Sequence, residues 1–235
     1  MTFNVFILGI GFEIAKKIAA AELKCIITAR NHEQGRAAKE ALSSFGDVEF
    51  RVLDISDRSS IAQFVDEFSR DFGKCDILVN NAGFAFKSAD PTPFDRQAGP
   101  TFATNLFGTI NFTEAMLPLL RRGESPRIVN VSSRAGLLRI LKSNEELKSR
   151  VTASDLTLSE IIDLATSFVR DVEAGVHAEK GWPNSNYGMS KLLLTAYSHV
   201  LARQEGAGMQ VNACCPGAVQ KHILFSLVLA ATRFH

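Results

Sequence analysis

An α/β domain with a doubly wound parallel sheet is what this sequence predicts, on three observations. Short apolar runs alternate with stretches of helical periodicity along most of the chain. Turns rich in Gly, Asn or Pro close several of the apolar runs. The 235 residues, 46% hydrophobic and 22% charged, match a soluble protein and are enough for one α/β domain with its own core. Repeated βα alternation places helices on both faces of a parallel sheet, with right-handed crossovers. One domain over residues 1–235 is expected, without internal repeat, low-complexity tract or linker.

The elements follow in order. Phe3–Leu8 reads as a strand, and Phe12–Ala21 has apolar residues at Phe12, Ile14, Ala15, Ile18 and Ala19, which is helical spacing. Lys24–Thr28 is a short β run, Glu33–Phe45 a helix and Val48–Leu53 a strand. Ser59–Phe72 is helical behind Asp57 as its cap. Ile77–Val79 is a strand that ends in Asn80-Asn81-Ala82-Gly83. Phe102–Leu120 is a long helix, which Pro118 bends or ends. Arg127–Val131 is a strand, Asn184–Glu205 a helix, and Gln210–Cys215 a strand closed by Pro216-Gly217. The segment 137–181 breaks the alternation. It is long, polar and helical in places, best at Ser159–Val172, and inserts of this length are usually lids or interface covers.

Composition excludes several classes. A formal net charge of +1 offers no field for nucleic acid or anionic membranes. The four cysteines (Cys25, Cys75, Cys214 and Cys215) have no zinc-site spacing and read as reduced, buried thiols, so no metal and a cytoplasmic location are expected. The N-terminus lacks the basic region of a signal peptide. The longest apolar run, Ile223–Ala231, falls far short of the ~20 residues a membrane span needs.

Five places could carry chemistry. Gly9 and Gly11 follow the first strand, where backbone N–H groups and a helix N-terminus can bind a pyrophosphate; a plain tight turn would look the same. The second strand ends in Thr28-Ala29-Arg30-Asn31. A guanidinium stands there in place of a carboxylate, which favours the 2′-phosphate of NADP over the alternative of an arginine on a solvated loop. Tyr187 and Lys191 are four apart on one helical face, so the ammonium can stabilise the phenolate of a proton-donating tyrosine, although such pairs are common on surfaces. Asn130-Val131-Ser132-Ser133 ends a strand, where a serine hydroxyl can meet a substrate carbonyl or simply cap a helix. Asn105 interrupts the apolar helix Phe102–Phe112 and needs a partner if it is buried; a solvent-facing position fits as well.

Taken together and in this order, these residues resemble the classical short-chain dehydrogenase/reductase family. Asn80-Asn81-Ala82-Gly83, Asn105, Ser133, Tyr187 with Lys191, and Pro216-Gly217 carry the resemblance. Within the family the chain is similar to the monomeric carbonyl reductases, through Phe86–Phe94, Gly175-Val176-His177, Gly181-Trp182-Pro183 and Asn212–Gly217. The resemblance implies a Rossmann-type fold and NADPH-dependent reduction of aldehydes, ketones or quinones. In it Tyr187 is the proton donor, Lys191 holds the nicotinamide ribose, Ser133 positions the carbonyl, and Asn105 supports a water-linked relay. It further implies NADP(H) contacts from Gly9, Gly11, Arg30, Asp54, Ile55, Asn81, Gly83, Tyr187, Lys191, Pro216, Gly217 and Val219. Phe86, Lys87, Ser88 and Gln97 resemble a glutathione-contacting region, so glutathione conjugates join the implied substrates, with Ser133 and Asn186 on the substrate side. The insert would cover the family's oligomer surface, leaving a monomer.

Two departures stand beside the resemblance. The family's phosphate loop is Thr-Gly-x-x-x-Gly-x-Gly, and only its last two glycines are present, as Gly9 and Gly11. Bulky Val5 aligns with the first glycine and Asn4 with the threonine, so either the first strand is lost or Phe3–Leu8 replaces it behind a shortened loop. Past Val219, Gln220-Lys221-His222 also diverges from the family. Truncated or altered terminal strands are therefore expected, as in a splice form, with weakened cofactor binding. A catalytically silent relative of the same fold is the main rival reading. A fatty-acid or sterol reductase is disfavoured by the long insert.

Overall fold

A computed structural model describes residues 2–6, 9–142 and 144–217. Its strands are β1 (Thr2–Phe6), β2 (Lys24–Ala29), β3 (Val48–Val52), β4 (Ile77–Asn80), β5 (Arg127–Val131) and β6 (Gln210–Cys214). All the pairings are parallel and the order is β3-β2-β1-β4-β5-β6. The chain winds outward from β1 to one edge, returns to the centre at β4, and winds to the other edge.

Side-chain alternation decides how the sheet is covered. Ile26, Leu78 and Ile128 pack into one apolar layer, while their neighbours Ile27, Val79 and Val129 pack into the other. Both faces are dry, so these strands are continuous apolar runs instead of alternating ones. Helices α1 (Ile10–Ala20) and α2 (His32–Leu42) cover the Ile27 face through Ile14, Ile18 and Leu42. Helices α3 (Arg58–Phe72), α4 (Phe94–Phe102) and α5 (Thr109–Leu120) cover the Ile26 face through Phe64, Phe102 and Leu117. The Asp57 carboxylate caps α3 by accepting from the Ser59 N–H at 2.9 Å, as its sequence position predicts.

The predicted helix at 102–120 differs from the structure in a useful way. Helical backbone begins earlier, at Phe94, and a π-helical turn, Ala103–Gly108, separates α4 from α5. Pro118 lies inside α5, which ends two residues later at Leu120. Periodicity cannot reveal a π turn, because it adds one residue without changing local composition; such turns gather at functional sites.

The insert folds as a 3₁₀ turn (Leu138–Leu141) followed by α6 (Glu145–Val151) and α7 (Leu158–Glu173). Thr157 and Glu160 form a reciprocal capping box at the start of α7. Leu147, Ile161 and Phe168 join the layer that holds Phe102, Leu193 and Leu201. The chain then enters α8 (Asn186–Glu205), which is buried on nearly all sides.

The first strand is present. Val5 sits opposite Ile27 and Val79 in the middle of the sheet. Only residues 7–9 therefore separate β1 from α1. This corrects one expectation: Val5 is a strand residue and does not stand in the loop, so what the chain lacks there is loop length. The Val219 position and the divergent 220–222 stretch lie outside the described residues.

Candidate active site

In a sheet of this order the crevice lies at the carboxyl ends of the strands, where the winding reverses between β1 and β4. The predicted site residues leave the sheet at that edge. Gly9 follows β1, Arg30 follows β2, and Asp54 and Ile55 follow β3. Asn81 and Gly83 follow β4, Ser133 follows β5, and Pro216 and Gly217 follow β6.

Asn105, Gly83 and Lys191 converge. Asn105 lies in the π turn with 0% exposure, which settles the choice between a buried and a solvent-facing amide. Its Oδ1 accepts from the Phe84 N–H at 2.9 Å, and its Nδ2 donates to the Phe84 carbonyl at 2.8 Å and to Ser190 Oγ at 3.2 Å. A methyl group added at Gly83 would lie 3.1 Å from Asn105 Oδ1 and 3.2 Å from Lys191 Nζ. Lys191 is 3% exposed, donates from Nζ to the Val131 carbonyl at 2.7 Å, and is held by burial at a pKa of about 8.

Tyr187 lies one turn before Lys191, with the ammonium 5.9 Å from its ring centre. The chain has two tyrosines, and they differ sharply. Tyr197 is fully buried, donates to Glu114 Oε1 at 2.9 Å, and burial pushes its phenol strongly upward. The Tyr187 ring is half-buried, and its hydroxyl makes no hydrogen bond among the described residues.

Ser133 begins the turn Arg134–Gly136, where its Oγ accepts from the Ala135 N–H at 3.2 Å and keeps its own hydrogen to donate. This turn lies directly on α8. A methyl group at Gly136 would come within 2.6 Å of the Leu192 nitrogen, and one at Gly188 within 2.7 Å of the Ala135 carbonyl. Two missing side chains thus bring the Ser133 turn against the Tyr187 helix. The sequence reading missed both, along with a buried ladder beneath them. Asn80 Nδ2 donates to Thr113 Oγ1 at 2.8 Å and to Asn130 Oδ1 at 2.7 Å, and Asn130 Nδ2 donates to Ser198 Oγ at 2.8 Å. Ser132 adds a hydroxyl contact to Thr195 at 2.7 Å. The available signal was an amide at the end of each apolar strand, since a buried polar group needs a partner.

The opposite end of the crevice is more open. Gly9 has φ 59°, and a methyl group built there would meet nothing within 4 Å among the described residues. Gly11 is buried in the first turn of α1. The Arg30 side chain is exposed and has no ion pair among the described residues, while Asn31 caps α2 by accepting from the Gln34 N–H at 2.9 Å. Asp54 Oδ1 accepts from the Ser56 N–H at 2.9 Å and Ser56 Oγ at 2.6 Å, and Ile55 is buried. The Asn81 N–H donates to the Val79 carbonyl at 3.1 Å, and Gly217 has φ 74°. An exposed, unpaired guanidinium beside a helix N-terminus fits a phosphorylated ribose.

On the substrate side, Phe86 packs edge-on against Phe84 at 5.4 Å, and Lys87 and Ser88 are exposed beside it. Gln97 is committed to its own helix start, donating to the Thr92 carbonyl at 2.7 Å. Asn186 is 4% exposed and donates to the Phe94 carbonyl at 2.9 Å, while its Oδ1 is buried without a partner among the described residues. A cavity of about 450 Å³ opens between Ile140–Lys142 and Trp182–Asn184. Cys25 and Cys75 are buried as expected, whereas Cys214, at the end of β6, and Cys215 just after it are only partly buried; all four are free thiols.

Comparison with known proteins agrees with this fold. The model of the short chain dehydrogenase family matches residues 7–144. NADPH carbonyl reductase 3 of Rattus norvegicus is 40% identical over 219 residues, covering 90% of this chain and 78% of the relative. NADPH carbonyl reductase 1 of Mus musculus is 39% identical over 219 residues, with the same coverages of 90% and 78%. Among solved structures, salutaridine reductase from Papaver somniferum superposes with a TM-score of 0.83 at 31% identity, over 92% of this chain and 86% of that one. With its sheet order, its strand-end site and these relatives, the chain belongs to the short-chain dehydrogenase/reductase family.

Proposed function

We propose that this chain is an NADPH-dependent reductase that converts aldehydes, ketones and quinones to alcohols. The observation that carries the reading is the convergence of buried Asn105 and Lys191 on Gly83, with Tyr187 one turn away and the Ser133 turn packed on the same helix. Relatives named for NADPH carbonyl reduction favour the same class.

When bound, the cofactor supplies a hydride to the carbonyl carbon. Tyr187 donates its phenolic proton to the carbonyl oxygen as negative charge develops there. The Lys191 ammonium, fixed on the Val131 carbonyl, stabilises the phenolate that remains and binds ribose hydroxyls. Ser133 donates its hydroxyl hydrogen to the same carbonyl oxygen and orients it. Asn105 ties the loop after β4 to α8 and supports a water-linked proton path to Lys191. Arg30 would hold the 2′-phosphate, Asp54 and Ile55 the adenine, and Asn81 and Gly83 the adenosine side of the cofactor. We assign the non-reacting part of the substrate, glutathione conjugates included, to the surface around Phe86, Lys87, Ser88, Gln97 and Asn186. The packing of α7 against α4 and α8 favours a monomer. No helix of the described residues is long and apolar enough to cross a membrane, and four free thiols suit the cytoplasm.

The short connection at residues 7–9 favours a second reading, a chain with intact catalytic residues but weak cofactor binding and little turnover. Titration of NADPH by fluorescence, followed by menadione turnover, separates the two. Binding at low micromolar concentration with quinone reduction supports the enzyme. Absence of saturable binding supports the silent form.

A further inference from the structure

The carboxylate of Asp171, near the end of α7, is buried with a side-chain exposure of 4%. Its Oδ1 accepts from Lys180 Nζ at 2.8 Å and from Arg170 Nε at 3.2 Å, and its Oδ2 accepts from the indole N–H of Trp182 at 2.9 Å. Both oxygens are therefore engaged, and the hydrogen bond from Lys180 leads the contacts that hold this carboxyl at a pKa of about 2. A buried carboxylate is costly unless it is paired in this manner, and removing its partners is strongly destabilising.

Trp182 connects this group to both halves of the catalytic end. Its ring meets Phe168 edge-on at 5.7 Å, Phe168 lies 5.3 Å from Phe102, and Phe102 immediately precedes the π turn that carries Asn105. In the other direction Trp182 lies a short way ahead of Asn186 and Tyr187 along the chain. Asn186 is itself tied to α4 through the Phe94 carbonyl at 2.9 Å. The indole thus lies between the element that holds Asn105 and the start of the helix that presents Tyr187.

We propose that Asp171 is a positioning residue for the reaction: by fixing the Trp182 indole it sets the start of α8, and hence Tyr187, relative to Asn105. Asp171 lies in the insert and touches neither reacting atoms nor cofactor, so the insert does more than cover a surface. The proposal rests on the reductase reading for its kinetic consequence and on geometry alone for its structural one.

The test uses the whole chain and three variants. Asp171→Ala removes the acceptor, Trp182→Phe removes the donor and keeps a ring on Phe168, and Asp171→Asn keeps an acceptor oxygen without charge. Displacing a reacting group by a fraction of an ångström to 1 Å costs roughly 10- to 100-fold in rate. Asp171→Ala and Trp182→Phe should therefore each lower kcat at least about tenfold, with the NADPH Kd within about twofold of the parent. The double variant should lose no more than either single one, because both act on one contact. Asp171→Asn should recover most of kcat. Trp182 is the only tryptophan in the chain, so its emission reports the loss of the indole contact in Asp171→Ala directly. Unchanged kcat in a folded Asp171→Ala chain, or additive losses in the double variant, would overturn the proposal. Should the parent reduce no carbonyl, the reductase reading fails by itself. Hydrogen exchange at 186–191 then decides: faster exchange in both single variants supports the positioning role, and unchanged exchange overturns it.

Discussion

At one end of the crevice Asn105 and Lys191 are almost wholly removed from water, and every polar atom described on them has a partner. At the other end Gly9 and Arg30 are exposed, the loop between β1 and α1 is only residues 7–9, and Arg30 has no ion pair among the described residues. The first end is rigid because its polar groups are buried and must satisfy one another, and losing one partner leaves the other stranded. The second end must bind an anion taken from water, so its donors stay open until the anion arrives. The first arrangement can stay intact while the second loses donors, although the two ends touch where a methyl group at Gly108 of the π turn would lie 2.5 Å from the Ile55 carbonyl.

Four changes test this contrast, beginning with the largest effect. Tyr187→Phe keeps the ring and removes the acidic hydroxyl. Turnover of menadione should fall at least ~100-fold, with the NADPH Kd little altered. Near-parental turnover in the variant would remove Tyr187 from the mechanism.

The next change acts on the open end alone. Restoring a Thr-Gly-x-x-x-Gly-x-Gly loop ahead of α1 should tighten NADPH binding by ~10- to 100-fold, since each regained N–H to a charged phosphate contributes ~1.5–3 kcal/mol. The stability of the Asn105–Lys191 end should not change. Equal affinity before and after repair would show that the short loop already binds pyrophosphate fully.

Arg30→Asp is a smaller intervention at the same end. Preference should move from NADPH toward NADH by more than ~tenfold, the effect of one charge-assisted pair. A parent that binds the two cofactors equally would deny Arg30 this role.

The smallest effect is a pH dependence at the buried end. Burial lowers the Lys191 pKa from 10.5 to about 8. Below about 8 the folded chain carries a buried ammonium at a cost; between about 8 and 10.5 the unfolded chain binds the extra proton, so this lysine's contribution to stability rises with pH. The difference in Tm between the parent and Lys191→Met should accordingly change in the parent's favour across that window. A difference that stays flat from pH 7 to about 10 would mean that Lys191 titrates as it does in water.

Much of this layout is legible in the sequence, and the part that is not has a common cause. Apolar runs bounded by turn residues define β2, β4 and β5, and four-residue spacing pairs Tyr187 with Lys191. The strand-end position of Ser133 and Arg30 follows from the same pattern. What the sequence hides is created only by tertiary contact. Asn105 alone cannot show that it faces Phe84 and Ser190, and Asp171 looks like any acidic residue on an amphipathic helix until Trp182 meets it. The π turn is hidden because one added residue leaves local hydrophobicity intact.

Gly136 and Gly188 make a last point, about mutational tolerance. Neither has positive φ, so neither is required by its own backbone. Each is required by the other's segment, at separations where even a single carbon collides with main chain. In a saturation scan scored by catalysis these two positions should be as intolerant as Tyr187, although neither offers a functional group. Alanine, the mildest replacement available, would already force the Ser133 turn and the Tyr187 helix apart. The drift open to this lineage is limited there by two empty spaces, and a reader searching only for reactive side chains would pass over both.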